Sequence, residues 1–155
     1  MSKKAVQDEY APKSICFGCG PSNKEGFQIK SYRNEDGLEM EFKCEEKHQA
    51  FPGVINGGVI GSLIDCHGNW TAAIAIMDKN GFDEPQCTVT AQYEVKLNRP
   101  TPFGHKLKLK SRVLALQEDR AEVIIELKAD GKTCATGRGL FVAVKEGHPA
   151  YHRWH

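Results

Sequence analysis

The sequence predicts an α+β fold in which one long helix packs against an antiparallel sheet, and three observations support this. Between Asn56 and Met77, apolar residues recur every three or four positions without an interrupting proline, which is typical of one long helix. From residue 88 onward the period of the apolar residues changes to two, as in half-buried strands. Short turn signals separate these later strands, so we expect them to run antiparallel. The predicted order is therefore β-β-α-β-β-β-β, with a curved sheet wrapped around the helix.

The long helix has two predicted ends and two distinct faces. Asn56 is the expected N-cap, because its side-chain oxygen can accept an unpaired amide of the first turn, and Gly81 is the expected C-cap. One face is mostly apolar and consists of Ile60, Leu63, His67, Trp70, Ile74 and Met77. A second face carries small residues and one carboxylate, and consists of Gly58, Gly61, Asp65, Gly68, Ala72 and Ala75. An interior glycine costs about 1 kcal/mol relative to alanine, so we expect a strand, a ligand or a second subunit to approach this face closely.

The remaining elements follow from alternation and turn signals. Apolar residues alternate on both sides of Asn34–Gly37, which predicts a β-hairpin before the helix. After the helix, the alternating stretches predict four strands, at 88–97, 107–115, 121–127 and 133–144. We divide the chain into a polar N-terminal extension lying across the surface, a single domain, and a poorly ordered tail, at 1–14, 15–145 and 146–155. The tail carries three histidines, which we interpret as part of that tail rather than as a metal site.

Composition excludes several classes of partner. The 155 residues fit one domain, and 21 basic against 20 acidic side chains give a formal net charge of +1, so nothing calls for nucleic acid. There is no run of about 18 apolar residues and no leader-like start, so we expect a cytoplasmic protein with no membrane partner. The six cysteines are then expected to be mostly reduced thiols.

Three motifs carry a resemblance to a known family. Residues 52–58 read Pro-Gly-Val-Ile-Asn-Gly-Gly, and a carboxylate follows at Asp65. A Cys-x-x-Cys-Gly-Pro segment spans Cys16–Pro21, and a His-Gln-x-Phe-Pro-Gly approach spans His48–Gly53. With the element order, these motifs resemble the hotdog-fold thioesterases, most of all the phenylacetate-pathway-like (PaaI-like) branch, over residues 15–144. The resemblance implies a hotdog-fold acyl-CoA thioesterase, a hydrolase that needs no cofactor and no metal and works as a homodimer or a dimer of dimers.

The resemblance also assigns roles to individual residues. It makes Asp65 the catalytic carboxylate and the Gly58 N–H the group that polarises the thioester carbonyl, and a helix N-terminus suits that task because it presents unpaired amides. Asn56 stands where the family usually has histidine; asparagine can cap the turn and donate a hydrogen bond, but it cannot exchange a proton near neutral pH. Thr90 matches a serine or threonine that holds the nucleophilic water in related enzymes. The alternative is that Thr90 is simply an exposed strand residue on the polar face.

Candidate substrate-binding residues lie around the Gly-Gly turn and in a basic stretch. Gly57 belongs to the turn, and Gln49 with His48 either lines the pocket or, as we favour, supports the loop. Arg99 and Arg138 are candidates for the phosphates of coenzyme A. The basic residues around the turn after the first long strand are Lys96, Arg99, Lys106, Lys108, Lys110 and Arg112, and a solvated strand face is the commoner explanation for them. Four aromatic residues are candidates either for an acyl pocket or for the core: Phe51, Trp70, Phe82 and Phe103.

The spacing of the motif predicts a shared active site. Asn56 and Asp65 are nine residues apart, which separates them by roughly 13 Å along one helix. One thioester carbon cannot contact both within a single chain. If both act, the carboxylate comes from one subunit and the amide donors from another, so we predict an obligate homodimer with two composite sites.

The cysteines and two rival functions complete the sequence-based expectations. Cys16 and Cys19, with Cys44 and His48, have the ligand types of a zinc site, but one Cys-x-x-Cys with distant partners is weak evidence. Cys66 adjoins the catalytic carboxylate in sequence but projects about 100° away on the helix, so we expect it to lie outside the site. A non-catalytic acyl-CoA binding protein is the main alternative function, favoured by asparagine in the histidine position. A hydratase of the same fold is the other, but no histidine pairs with the carboxylate on this helix.

Overall fold

One long helix lies against a six-stranded antiparallel sheet, and a separate two-stranded ribbon precedes it. The computed structural model describes residues 3–155. This arrangement confirms the predicted α+β class and the central helix of a hotdog fold. In chain order the elements are α1 (Val6–Tyr10), β1 (Ser31–Arg33), β2 (Gly37–Phe42), a 3-10 turn (Glu46–His48), β3 (Gln49–Phe51), β4 (Val54–Ile55), α2 (Gly57–Asn80), β5 (Thr88–Leu97), β6 (Leu107–Leu116), β7 (Arg120–Ala129) and β8 (Lys132–Ala143).

The strand order of the large sheet is β1-β2-β6-β7-β8-β5, with every neighbouring pair antiparallel. The four predicted later strands are all present, and β6, β7 and β8 form a meander. The first of them, β5, pairs with β8 and not with β6. Residues 98–106 therefore cross from one side of the meander to the other, where the sequence suggested only a turn. This topology leaves β5 at one edge of the sheet.

Helix α2 begins and ends where the sequence predicted. The Asn56 side-chain oxygen accepts hydrogen bonds from the amides of Gly58 (2.7 Å) and Val59 (3.2 Å). Gly81 ends the helix with φ of 69°, a left-handed conformation that favours glycine. Every member of the predicted apolar face is buried: Ile60, Leu63, His67, Trp70, Ile74 and Met77. That face packs on β5 to β8 and forms the core.

Strands cover the middle of the small-residue face of α2, around Gly61 and Gly68. A Cβ atom on Gly68 would stand 2.8 Å from Phe141 Cζ and 3.0 Å from Ile125 Cδ1, so only glycine lets the sheet approach this closely. At Gly61 the corresponding atom would meet Tyr93 Oη at 3.6 Å, an ordinary contact. Close approach by a strand therefore explains Gly68 without a ligand.

A β-bulge in β5 changes which of its residues face the helix. The register against β8 shifts between Thr90 and Gln92. Thr88 and Thr90 both donate hydrogen bonds to side chains of α2, and after the bulge Tyr93 lies over the same helix. Sequence alternation put Thr90 on the polar face opposite Tyr93, and this was wrong, because one extra residue reverses the period of two.

Both ends of the described chain pack more closely than predicted. Val6 in α1 is buried, and Gln7 is bonded through its side chain to both the backbone and the hydroxyl of Ser31. The expected surface position of this segment was therefore wrong. The tail is likewise packed, because the Trp154 ring stacks on Trp70 at 4.1 Å between centroids. The domain boundaries themselves stay a prediction.

The hairpin before the helix is present, but its first strand is shorter than the alternation of apolar residues in the sequence indicated. β1 and β2 pair around residues 34–36, while Phe27 and Ile29 lie in the loop before β1. That loop is anchored by backbone hydrogen bonds to the Cys-x-x-Cys turn.

None of the helices in residues 3–155 combines the length and apolar character needed to span a bilayer.

Candidate active site

Asp65 and Thr90 form a hydrogen-bonded pair between the central helix and the edge strand. The Thr90 hydroxyl donates to Asp65 Oδ1 at 2.6 Å, and both residues are partly buried. Burial raises the pKa of Asp65, and the hydrogen bond from Thr90 opposes this by lowering it. Smaller electrostatic effects come from Cys16, which raises this pKa, and from Arg153, which lowers it. The site thus contains one carboxylate of raised basicity with a hydroxyl fixed against it.

The amide donors at the start of α2 are already engaged by the N-cap. Asn56 Oδ1 accepts from both Gly58 and Val59, so the Gly58 N–H points at the cap and not at solvent. The amide of Gly57 is the first-turn donor that the Asn56 side chain does not use. Asn56 and the two glycines are exposed, so a substrate oxygen can reach this turn and compete with the cap.

A cleft of about 740 Å³ opens in front of this helix N-terminus. Its helix side is formed by Asn56, Gly58, Val59 and Ser62. An aromatic wall faces them, in which the Phe27 ring contacts Phe17 (4.9 Å), Phe42 (5.8 Å) and His48 (5.1 Å) edge to face. Lys43 and Lys47 also line the cleft.

The aromatic residues singled out from the sequence do not form this wall. Phe51 and Phe82 are exposed, Trp70 is buried in the core, and Phe103 packs on the edge of the core. The wall comes instead from the loop before β1 and from the end of β2. A sequence pattern offers no signal for this grouping, because it depends on how those two segments fold over the helix.

Asp65 does not line the cleft, and the same chain does not bring it to Gly58. Seven residues separate them, which is roughly 10 Å along the helix. Within one chain, Asp65 is therefore too far from the amide donors at the start of α2 to share a carbonyl with them, as the composite-site prediction assumes. That a second subunit supplies the missing group stays a prediction.

Gln49 and His48 brace the loop that leads into the helix. Gln49 Oε1 accepts from the Gly53 N–H at 2.7 Å, and its amide nitrogen donates to the Glu46 carbonyl at 3.0 Å. His48 Nδ1 accepts from the Glu45 N–H at 2.9 Å, and burial lowers the pKa of this ring. These contacts favour the supporting role that we preferred for both residues, although His48 also lines the cleft.

The predicted basic residues do not converge on one site. Arg138 is paired with Glu122, and Arg99 is exposed on the crossover after β5. Lys108 and Lys110 are exposed on β6 between buried neighbours, as in a solvated strand face. Gly57, the other predicted substrate-binding residue, packs near Leu97 at the end of β5, because a Cβ atom added to Gly57 would lie 3.5 Å from Leu97 Cδ1.

The structure groups the cysteines differently from the sequence-based hypotheses. Cys16, Cys19 and Cys66 lie together, with thiols within 4.8 Å of one another, whereas Cys44 and His48 are not among the group. Cys66, which we expected to lie outside the site, is grouped with these cysteines and makes no hydrogen bond with Asp65 or Thr90. The Cys-x-x-Cys turn folds back over the helix, so that Cys16 comes near enough to Asp65 to raise its pKa.

Comparisons with known proteins identify the family. The family model for the thioesterase-like superfamily matches residues 50–149. A thioesterase superfamily protein from Shewanella loihica is 30% identical over 90% of this chain and 99% of that chain, with a TM-score of 0.69. Two further solved structures share the fold. A Haemophilus influenzae thioesterase is 18% identical over 84% of this chain and 90% of that chain, with a TM-score of 0.69. A Bacillus halodurans protein solved with CoA is 20% identical over 77% of this chain and 76% of that chain, with a TM-score of 0.63. No curated protein matches significantly. The chain therefore belongs to the thioesterase-like superfamily.

Proposed function

We propose that this protein is an acyl-CoA thioesterase of the PaaI-like type, with Asp65 as its catalytic carboxylate. The observation that carries the proposal is the Thr90–Asp65 pair, a partly buried carboxylate with a raised pKa held at 2.6 Å by a hydroxyl. Membership of the thioesterase-like superfamily supports the reaction class. A CoA-bound neighbour of the same fold supports the choice of thiol.

Hydrolysis needs a nucleophile, and Asp65 can supply it in two ways. As a base, the carboxylate takes a proton from water while the water oxygen attacks the thioester carbonyl, and the C–S bond then breaks to release CoA thiolate. As a nucleophile, the carboxylate attacks the carbonyl itself, CoA leaves, and water hydrolyses the resulting anhydride. In both routes the Thr90 hydroxyl oxygen keeps lone pairs with which it can orient the water.

The developing oxyanion requires donors, which we assign to the exposed start of α2. The thioester oxygen displaces the Asn56 side-chain oxygen from the Gly58 N–H, since the two compete for one donor. The released Asn56 amide group can then donate to the same oxygen. Loss of one such donor typically lowers the rate by about 10²–10³-fold.

The reacting groups come together only across a subunit interface, so we propose a homodimer or a dimer of dimers. Asp65 and Gly58 are too far apart along one helix to contact a single carbonyl. Strand β5 supplies an interface, because it is an unpaired edge that exposes Tyr93 (43%) and Leu97 (57%). Antiparallel pairing of two β5 edges would also bring two helices side by side.

We place the acyl-CoA substrate in the cleft at the helix N-terminus. The aromatic wall of Phe17, Phe27 and Phe42 suits an apolar acyl or pantetheine segment. Lys43 and Lys47 line the cleft and are our candidates for binding the phosphates, whereas Arg99 and Arg138 do not line it and Arg138 is paired with Glu122.

The reaction is tested with a panel of aliphatic and aromatic acyl-CoA esters, with CoA release measured by chromatography because the protein carries six free cysteines of its own. The wild-type protein should hydrolyse at least one ester, and Asp65→Asn should lower kcat/KM by about 10²–10⁴-fold. Asp78→Asn, which alters another carboxylate of the same helix that is paired with Arg33 and does not line the cleft, is the control. Equal CoA release by the wild-type protein and Asp65→Asn would remove Asp65 from the mechanism.

The composite site is tested by complementation between two variants, each of which lacks one group that the proposed mechanism uses. A heterodimer of Asp65→Asn and Asn56→Ala, isolated with two different tags, contains one doubly altered site and one intact site. It should recover about half of the wild-type activity. If each site were built from one chain, the heterodimer would be as inactive as either parent.

One observation favours a second candidate function, a non-catalytic acyl-CoA binding protein. Asn56 occupies the Gly58 amide and cannot act as an acid or base, so the oxyanion site is filled by the protein's own cap. Calorimetry separates the two functions: micromolar binding of acyl-CoA with no CoA released from any ester would establish the binding protein.

A further inference from the structure

Three cysteine thiols meet beside the central helix, outside the Asp65–Thr90 pair. The Sγ atoms of Cys16, Cys19 and Cys66 all lie within 4.8 Å of one another, and the Cys16–Cys66 separation is 3.9 Å. With zinc–sulfur bonds of about 2.3 Å, two sulfur ligands of a tetrahedral site lie roughly 3.8 Å apart. The three thiols therefore stand close to the spacing that such a site requires.

The Cys-x-x-Cys turn is shaped to lie directly over Cys66. A Cβ atom on Gly18 would stand 2.4 Å from the Cys66 Sγ, so a larger residue would push the turn off the helix. The Gly20 N–H donates to the Cys16 carbonyl at 2.8 Å, and the Ile29 N–H donates to the Gly18 carbonyl at 3.1 Å. Backbone bonds thus hold the turn in place without using the thiols, which leaves all three sulfurs available as ligands.

The burial of the three thiols suits a metal ligand set. Cys19 is buried, and Cys16 and Cys66 are partly buried, so little of the cluster is open to water. Thiolate is the form of cysteine that binds a metal ion, and binding therefore releases the thiol protons.

Hydrogen-bond donors around the cluster suit anionic sulfur. The Trp70 indole N–H is fully buried, has no hydrogen-bond partner within residues 3–155 and lies near Cys19. The backbone N–H groups of Gly18 and Cys19 lie near the Cys16 sulfur. Donors directed at ligand sulfurs are characteristic of the shell around metal-bound thiolates.

We propose that Cys16, Cys19 and Cys66 bind one thiophilic divalent cation, represented by Zn²⁺, with a non-thiol ligand such as water in the fourth position. The site joins the N-terminal turn to α2 one residue after Asp65. It therefore fastens the segment that carries Phe17, part of the aromatic wall, to the helix that carries the catalytic carboxylate. The proposal does not depend on the thioesterase reaction.

Metal content and cobalt spectroscopy test the site. Tag-free, reduced protein is incubated with zinc, dialysed against metal-free buffer and analysed by mass spectrometry; we expect about one zinc per chain. Cys16→Ser, which alters a partly exposed residue, and Cys66→Ala should each lower zinc retention at least tenfold. Cys44→Ala removes a buried cysteine outside the cluster and should leave it unchanged. Cobalt in place of zinc should show sulfur-to-cobalt charge-transfer bands that both cluster variants lose.

The same measurements define what would overturn the proposal. Zinc retained by Cys16→Ser and Cys66→Ala, with a cobalt spectrum lacking sulfur charge transfer, would place the metal elsewhere, such as on the exposed His152–His155 pair. Wild-type protein retaining less than about a tenth of an equivalent would exclude a metal site. A Cys16–Cys66 disulfide that mass spectrometry finds even after treatment with reductant would overturn the metal site and make the cluster a redox pair.

Discussion

At the scale of single residues, Thr90 opposes the effect of burial on the pKa of Asp65. Burial raises the pKa of Asp65, and the hydroxyl of Thr90 is the strongest influence in the opposite direction. A carboxylate that acts as base or nucleophile must be ionised, so activity is lost as the pH falls through its pKa. Thr90 therefore extends the working range of the proposed enzyme toward acid.

Replacing Thr90 should change the pH profile in a defined direction. In Thr90→Val the lowering hydrogen bond is lost, the pKa of Asp65 rises further, and the acid limb of kcat/KM moves to higher pH. Activity should fall more at pH 6 than at pH 8. Thr136→Val, which alters a threonine on β8 bonded to Asn98, is the control and should leave the limb in place. An acid limb that does not move in Thr90→Val would contradict a role for this hydrogen bond.

A second buried polar residue, His67, has a structural role. Its ring lies within the predicted apolar face, where Nδ1 is 2.8 Å from Ser31 Oγ and Nε2 is 3.3 Å from the Leu38 carbonyl. Burial lowers its pKa from 6.5 to about 4, so the folded protein holds the ring neutral. Through Ser31, which also bonds Gln7, the ring ties α1 and β1 to the central helix.

His67 should make the protein less stable in mild acid. The folded pKa lies below the unfolded one, so the unfolded chain binds the proton first, and stability is lost as the pH falls from 6.5 toward 4. The free energy of unfolding should drop by about 2 kcal/mol between pH 7 and pH 5 through this group alone. Urea titrations of wild-type protein and His67→Gln at both pH values measure it. The decrease in the free energy of unfolding between the two pH values should be smaller in His67→Gln by this amount. An equal decrease in both proteins would show that another group is responsible.

At the scale of elements, the two interior glycines of α2 do different things. Gly68 admits Phe141, a completely buried ring, whereas Gly61 only meets the end of the Tyr93 side chain. Helix propensity alone would favour alanine at both positions by about 1 kcal/mol. Packing against the sheet decides which glycine is required.

Alanine substitutions at these two positions form a matched pair. Gly61→Ala should raise the free energy of unfolding by up to about 1 kcal/mol, because its new methyl group fits an ordinary contact. Gly68→Ala should lower it by about 1–3 kcal/mol, because the methyl group and the Phe141 ring cannot share the space without a shift. Urea unfolding of both variants in reducing buffer gives the comparison. Similar stabilisation of both would mean that the sheet relaxes freely at Gly68.

The elements were predictable from sequence to the extent that local signals defined them. Asn56, Gly81 and the two periodicities determined the helix and the long strands, because caps and alternation act over a few residues. The bulge after Thr90 could not be predicted, since a single inserted residue leaves the alternation looking regular while reversing its faces. The pairing of β5 with β8 depends on the crossover and has no local signature either.

At the scale of the whole molecule, the candidate site residues lie where segments that are distant in sequence meet. Asp65 and Thr90 were identifiable from a motif and a count along the strand, but their contact depends on the fold. Sequence analysis did not predict which residues form the aromatic cleft or the cluster of Cys16, Cys19 and Cys66. Each of these groups joins the N-terminal turn to the helix across about 50 residues of chain. Sequence spacing gives no information about such contacts.

The unpaired β5 edge should control both assembly and activity. Leu97 is 57% exposed there, and Leu97→Glu would place a charge in the proposed interface between two subunits. We expect a shift from dimer to monomer by light scattering after size-exclusion chromatography, with activity falling in proportion to the dimer that remains, because a lone chain separates Asp65 from the amides of α2. Leu114→Glu alters a similarly exposed leucine on β6, which has neighbours on both sides, and should change neither property. A monomeric variant with full thioesterase activity would show that one chain suffices for the site.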